Sequence, residues 1–131
     1  MINYFSKYRF IFYLSNFILV VLYLFPGSLL GCLIYNDCKI QPQITKNFII
    51  STNHLYAYIV LSVIGFLTYR KNNQFNIVSL YLLFLSIVLE VLQYFIPNRS
   101  FEFQDLFGNL AGVIIAIILF YFFKKNENFK N

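Results

Sequence analysis

The sequence predicts an all-α membrane protein, a bundle of four transmembrane helices with both termini in the cytoplasm. Its 131 residues are 60% hydrophobic and only 11% charged, whereas soluble domains are about half apolar and about a quarter charged. Four apolar runs stand between short polar segments, and each is close to the ~20 residues that a spanning helix needs. The length is that of one domain, so we treat residues 1–131 as a single membrane domain.

The first predicted helix covers about residues 10–25. Pro26 and Gly27 should end or kink it, because proline lacks the N–H that a helix interior requires. The basic start and apolar middle also resemble a signal peptide, and the stretch 29–32 resembles a lipoprotein cleavage site. Leu30 stands where such a site usually has a small residue, so we expect a retained span.

Two cysteines, Cys32 and Cys38, lie in or beside the polar connection over about residues 36–47. Their spacing fits neither a redox pair of the CxxC type nor a zinc framework. A disulfide outside the membrane and two unrelated thiols both stay open at this point.

The second helix is predicted over about residues 49–69, the third over 75–96 and the fourth over 105–123. Polar residues at 70–73 separate the second helix from the third. Pro97 should end the third helix, since it cannot continue the hydrogen-bonding pattern. A short loop then leads into the last span.

The distribution of Lys and Arg sets the orientation. Seven of them fall on one side of the predicted membrane, namely Lys7, Arg9, Arg70, Lys71, Lys124, Lys125 and Lys130. Three fall on the other side, namely Lys39, Lys46 and Arg99. Cytoplasmic loops carry the excess of basic residues, so both termini and the 70–76 loop should face the cytoplasm. Because the basic residues stand at segment ends, the net charge of +5 does not indicate nucleic-acid binding.

Seven polar residues interrupt or flank the apolar runs, and this topology gathers them at the outer face of the membrane. They are His54, Tyr58, Glu90, Gln93, Arg99, Asp105 and Asn109. Within each predicted helix they are spaced three or four apart, which places them on one helix face. An ionisable side chain costs about 2.5–3.5 kcal/mol at the centre of a membrane helix. The sequence therefore predicts a polar site that faces outward.

Three members of this set are candidate catalytic residues: His54, Glu90 and Asp105. The imidazole titrates near neutral pH, which suits general acid–base chemistry. Each also has a structural alternative. The histidine could bond across the bundle, the glutamate could pair with Arg99 or His54, and the aspartate could cap the last helix. Arg99 is the natural anion binder, and beyond Pro97 we expect its head to reach water and a lipid headgroup.

The remaining polar residues, Gln93, Asn109 and Tyr58, are predicted to line the same cavity as ligand-binding or orienting groups. One imidazole and two carboxylates are also acceptable ligands for a divalent ion. We nevertheless expect no metal and no cofactor, and no nucleophile stands out. A ridge of small residues, Gly108 and Gly112, should let another helix approach closely and could also join two copies of the chain.

The ordered polar motifs resemble those of the VanZ-like family. They read His54-Leu-Tyr-Ala-Tyr58, Glu90-Val-Leu-Gln93, Pro97-Asn-Arg99 and Asp105-Leu-Phe-Gly-Asn109-Leu-Ala-Gly112. The resemblance covers about residues 48–120. One departure is that the family often has an Asp-Lys pair shortly before the histidine, where this chain has Ile50 and Ser51.

The resemblance implies a multi-pass protein of the bacterial inner (cytoplasmic) membrane, close to cell-envelope chemistry. The family is named for a protein linked to resistance to teicoplanin, a glycopeptide antibiotic, and the resemblance supplies no reaction. We expect membrane lipids as partners and an anionic envelope lipid or lipid-linked glycan precursor as ligand. The alternative is a membrane hydrolase or transferase that uses His54 as acid or base.

Overall fold

The computed structural model of the chain describes residues 2–129, and all regular structure in that part is helical. The helices are α1 (Ile2–Leu24), α2 (Leu29–Tyr35), α3 (Thr52–Thr68), α4 (Asn72–Gln93) and α5 (Phe103–Phe129). The predicted all-α class is therefore confirmed. Lys130, which we counted among the cytoplasmic basic residues, lies outside the described part.

Two of the helices are long and apolar enough to cross a membrane by themselves, over Asn73–Gln93 and Phe103–Glu127. A third candidate is a broken span, Tyr8–Leu24 with Leu29–Tyr35, whose halves are bent by 84°. The apolar helix α3 has 17 residues, which is short for a span. The described helices thus provide two or three candidate spans, and the expected four stay a prediction.

Large apolar side chains cover the outside of the bundle. On α4, Ile77, Leu80 and Phe84 are 68%, 70% and 67% exposed, and their spacing puts them on one face. A continuous apolar surface of this kind is an association site or an aggregation hazard in water. In a bilayer it faces lipid, so the surface supports a membrane protein.

The break between α1 and α2 follows the predicted proline. Helix α1 ends at Leu24, two residues before Pro26, and Gly27 has a φ of 96°, which glycine adopts without steric cost. The Ser28 hydroxyl then accepts a hydrogen bond from the Gly31 amide at 3.0 Å and caps α2. The chain therefore turns sharply where the sequence predicts an end or a kink.

A disulfide joins Cys32 of α2 to Cys38 in the following loop. Of the two alternatives left open by the sequence, the bonded pair is the one present. The Ser28 amide also donates to the Cys38 carbonyl at 2.8 Å, so the loop folds back onto the start of α2.

The small residues of α5 hold α3 at close range. A Cβ added at Gly108 would lie 2.6 Å from the Ser51 carbonyl oxygen, and one added at Gly112 would lie 2.6 Å from that of Leu55. The predicted ridge is thus occupied by α3 of the same chain. A second copy of the chain would have to use another surface.

Helix α4 ends at Gln93, three residues before the predicted end at residue 96. In a continuing α-helix the Gln93 carbonyl would accept from the N–H of residue 97, but Pro97 has none. The Ile96 amide takes its place at 3.2 Å, and the Arg99 amide then donates to the Ile96 carbonyl at 3.2 Å. These tight turns bring the loop after α4 back over the helix end.

Candidate functional site

The starts of α3 and α5 lie side by side, and this brings His54 and Asp105 together. The Ser51 amide, just before α3, donates at 3.1 Å to the carbonyl of Gln104 in the first turn of α5. His54 Nε2 lies 3.6 Å from Asp105 Oδ2, and His54 Nδ1 lies 3.9 Å from Glu90 Oε2. The three candidate catalytic residues therefore meet at one place, although both contacts are longer than hydrogen bonds.

Asn109 fixes the orientation of the histidine ring. Its Nδ2 donates to the Ser86 carbonyl at 3.1 Å, and because a carbonyl only accepts, Oδ1 must point the other way. That oxygen accepts from the Tyr23 hydroxyl at 2.7 Å and lies 2.9 Å from His54 Nδ1. Nδ1 must therefore carry a proton, and a neutral His54 presents the lone pair of Nε2 toward Asp105.

Glu90 is completely buried beneath this pair. Its Oε1 accepts from the backbone amide of Glu102 at 3.2 Å, which is possible because the loop after α4 turns back. Its Oε2 has no hydrogen-bond partner among the described residues. A buried acceptor without a partner costs about 1–3 kcal/mol of folding stability, and more if it is charged.

Arg99 holds the end of α1. Its Nε donates to the Phe25 carbonyl at 3.1 Å, and its Nη2 donates to the Leu22 carbonyl at 2.8 Å. Such carbonyls at a helix end have no partner within the helix. No ion pair joins Arg99 to Glu90 within the described part of the chain. The guanidinium therefore has a structural role at the end of α1, in addition to lining the cavities described below. The sequence did not predict this role.

Gln93 and Tyr58 take buried positions beside these groups. The Gln93 amide nitrogen donates to the Tyr23 carbonyl at 3.1 Å. The Tyr58 side chain is fully buried, and its ring packs edge-on against Tyr23 with ring centroids 5.9 Å apart. Tyr58 and Asn109 line neither of the two cavities described next, because both stand behind the histidine as packing and orienting groups.

Two cavities meet at the polar residues. The first, about 620 Å³, lies between α1, α2 and α3 and has mainly apolar walls that include Ile18, Leu22 and Val60. The second, about 630 Å³, lies under the loops before α3 and after α4, with polar walls that include Glu102 and Asp105. Seven residues line both cavities, namely Ser28, Gln41, Gln43, Asn53, His54, Gln93 and Arg99. An apolar compartment therefore adjoins a polar one, with His54 and Arg99 on the shared wall.

Tyr23 is the site residue that the sequence analysis missed. Its hydroxyl bonds Asn109, and its ring centroid lies 4.8 Å from that of His54. The residue stands in an apolar run with no polar residue three or four positions away. Only its predicted depth in the membrane could therefore have identified it. Tyr23 is three residues before Pro26, at the same end of the bundle as the other polar groups.

A family model described as VanZ/LLP1 matches residues 2–124 of the chain. The match includes all the polar residues of the cluster and adds α1 and α2 to the region of likeness. No curated protein and no solved structure matches the chain.

Proposed function

The chain belongs to the VanZ/LLP1 family, and from this and its polar cluster we propose that it binds an anionic amphiphile in the membrane. The ligand class is an anionic cell-envelope lipid or a lipid-linked glycan precursor. The proposed setting is the outer face of the bacterial cytoplasmic membrane, where the chain is a multi-pass protein. Family membership also suggests a link to glycopeptide tolerance.

The observation that carries the proposal is the pair of adjoining cavities. The apolar cavity has the walls that an acyl or prenyl chain needs, and the polar cavity has the walls that a headgroup needs. A lipid lying across the shared wall would bring its first headgroup atoms to His54, Gln93 and Arg99. A ligand without an apolar tail would leave the apolar cavity unfilled.

The preference for an anion rests on Arg99. Two of its donors hold α1, and a guanidinium has five N–H donors, so others stay free to face the cavity. Burial lowers the pKa of Arg99, and the charges of Asp105 and Glu90 oppose that shift. Arginine keeps its charge in proteins, so the shared wall offers a fixed cation for a phosphate or carboxylate.

The proposed orientation places both termini in the cytoplasm and the polar cavity outside. The uneven distribution of Lys and Arg supports it. The Cys32–Cys38 disulfide supports it too, because disulfides persist in oxidising compartments and are rare in the cytoplasm. Both cysteines stand beside the polar cavity, which Cys38 lines.

A second candidate function is an enzyme, a hydrolase or transferase acting on the same amphiphile. The observation that favours it is the fixed ring of His54. With Nδ1 held by Asn109, Nε2 is free to accept a proton beside Asp105 and within reach of the cavity. No side-chain nucleophile is assigned, so water or a second substrate would supply the attacking group.

Mass spectrometry of lipids retained by the gently purified protein tests both candidates. We expect anionic lipids to be enriched over their share in the source membrane, in wild type and in a His54→Gln variant. If the chain is an enzyme, the wild type alone should also convert the added lipid extract, and His54→Gln should accumulate unprocessed lipid. Absence of enrichment in both proteins would contradict the binding proposal.

A further inference from the structure

The three residues at the centre of the cluster are candidate ligands for one metal ion. His54, Glu90 and Asp105 can each offer one ligand atom such that all three atoms lie within 4.8 Å of one another. They come from three different helices, so the bundle itself holds them at this separation. One imidazole and two carboxylates suit Zn²⁺ and related divalent transition-metal ions better than Mg²⁺ or Ca²⁺, which prefer oxygen ligands alone.

The orphan oxygen of Glu90 points independently to a ligand. The side chain is 0% exposed and Oε2 lies 3.9 Å from the nearest ring nitrogen of His54. No hydrogen bond to this oxygen occurs among the described residues, whereas Oε1 is bonded by the Glu102 amide. Carboxylates that bind metals are themselves held by hydrogen bonds, as Oε1 is here, and Oε2 remains available as a ligand.

The histidine ring is also oriented by a hydrogen bond, as in many metal sites. Metal-binding histidines generally donate their second ring N–H to an oxygen, which fixes the ring and its tautomer. Here Asn109 Oδ1 holds His54 Nδ1 at 2.9 Å, and Nε2 faces Asp105 Oδ2 at 3.6 Å. The lone pair that a metal would use is therefore directed toward Asp105.

The charge of the site also calls for a cation. Glu90 and Asp105 face each other across a histidine, and Glu102 lines the polar cavity beside them. Against these carboxylates stand the Arg99 guanidinium, which is partly engaged by α1 carbonyls, and Lys39 at the cavity rim. The carboxylates around His54 therefore favour a cation between them.

We infer that His54, Glu90 and Asp105 bind one divalent transition-metal ion, with Zn²⁺ and Mn²⁺ as the fitting candidates. This revises our sequence-based expectation of no metal. Three protein ligands leave an open position, which a water molecule or a headgroup oxygen can fill. The metal site stands on the cluster alone, and only the contact between ion and headgroup rests on the proposed function.

The test is metal titration of the full-length protein in detergent, after treatment with a chelator and without added lipid. Zn²⁺ or Mn²⁺ is titrated by calorimetry, and bound metal is counted by elemental analysis. We expect one ion per chain in the wild type. Asp105→Asn and Glu90→Gln should each weaken metal binding about 10-fold or more. Loss of a residue that only hydrogen-bonds a metal ligand already costs about 10-fold in affinity, and loss of a ligand should cost at least as much.

The matched control is Glu102→Gln. It removes a carboxylate at the same cavity, but the backbone amide of residue 102 that bonds Glu90 remains, so the affinity for the ion should fall far less than in Asp105→Asn. Asp105 is partly exposed, so Asp105→Asn gives an independent result if Glu90→Gln does not fold. Wild type that binds no stoichiometric ion, or an Asp105→Asn variant that binds as tightly as wild type, would overturn the inference. Lipid retention by a metal-free wild type would leave the amphiphile proposal standing in that case.

Discussion

The Nδ1 atom of His54 lies 2.9 Å from the Oδ1 atom of Asn109, a residue 55 positions away in the chain. The contact joins the first turn of α3 to the second turn of α5, directly above the close approach at Gly112. The same oxygen also accepts from Tyr23 of α1, and the amide nitrogen donates to Ser86 of α4, so one amide links four helices. The tautomer of His54, and with it the chemistry available at Nε2, depends on this single side chain.

Replacing Asn109 should therefore cost more than replacing one of its partners. Asn109→Ala leaves the Tyr23 hydroxyl and the His54 Nδ1–H without their partner, at about 1–3 kcal/mol for each buried group left unsatisfied. Tyr23→Phe removes one donor only and should lower the free energy of unfolding by about 1 kcal/mol. Denaturant unfolding in detergent micelles compares the two. Equal losses would mean that Asn109 does not organise the cluster.

Arg99 and Glu90 should act almost independently. Arg99→Ala removes two hydrogen bonds to the end of α1 and should lower the free energy of unfolding. Adding Glu90→Gln should not restore it, because no ion pair joins the two in the described structure. A double-variant cycle in thermal unfolding should give a coupling well below the about 3–5 kcal/mol lost when a buried ion pair is broken. Full rescue in the double variant would make Arg99 a counter-ion.

Gly112→Ala should destabilise the protein, although alanine is the better helix former by about 1 kcal/mol. The added Cβ would meet the Leu55 carbonyl oxygen at 2.6 Å and the Tyr58 Cβ at 2.9 Å, so α3 would have to move away from α5. Overpacking of this kind costs about 1–3 kcal/mol. Ile118→Ala, on the lipid-exposed face of the same helix, is the control and should change thermal stability little. Stabilisation by Gly112→Ala would refute the close packing of these helices.

The proposed topology predicts which positions a membrane-impermeant maleimide reaches in intact cells. Both native cysteines are bonded, so an introduced cysteine supplies the free thiol. Lys46→Cys, in the loop before α3, should react from outside, and Asn73→Cys, at the start of α4, should react only after the membrane is opened. Both residues are exposed, so burial does not explain a difference. Labelling of Asn73→Cys in intact cells would contradict the proposed orientation.

Local sequence patterns predicted much of this architecture. The apolar runs marked α3, α4 and α5 because a bilayer demands long apolar helices, and Pro26 marked the end of α1. Grouping polar residues by depth brought His54, Glu90 and Asp105 together, since leaving them in lipid is costly. The geometry now places these three side chains at one site, and their role stays a proposal.

Other features depend on tertiary contacts that no local pattern reveals. Arg99 turned toward the end of α1 rather than toward water because the loop after α4 folds back over the bundle. Tyr23 joined the cluster through an oxygen of Asn109, 86 residues away, and nothing around it in the sequence signals that bond. The α3–α5 contact used the small-residue ridge within the chain, where sequence could not distinguish a neighbouring helix from a second copy.

The central claim is that the apolar cavity and the polar cluster hold one amphiphile between them. Native mass spectrometry of wild type, Val60→Trp and Val91→Trp tests it most directly. Val60 lines the apolar cavity, Val91 lines neither cavity, and both side chains are exposed, so either substitution should be tolerated by the fold. We predict that wild type and Val91→Trp each retain one anionic lipid and that Val60→Trp, whose ring fills the cavity, loses it. Equal retention by all three proteins, or no bound lipid in the wild type, would contradict the claim.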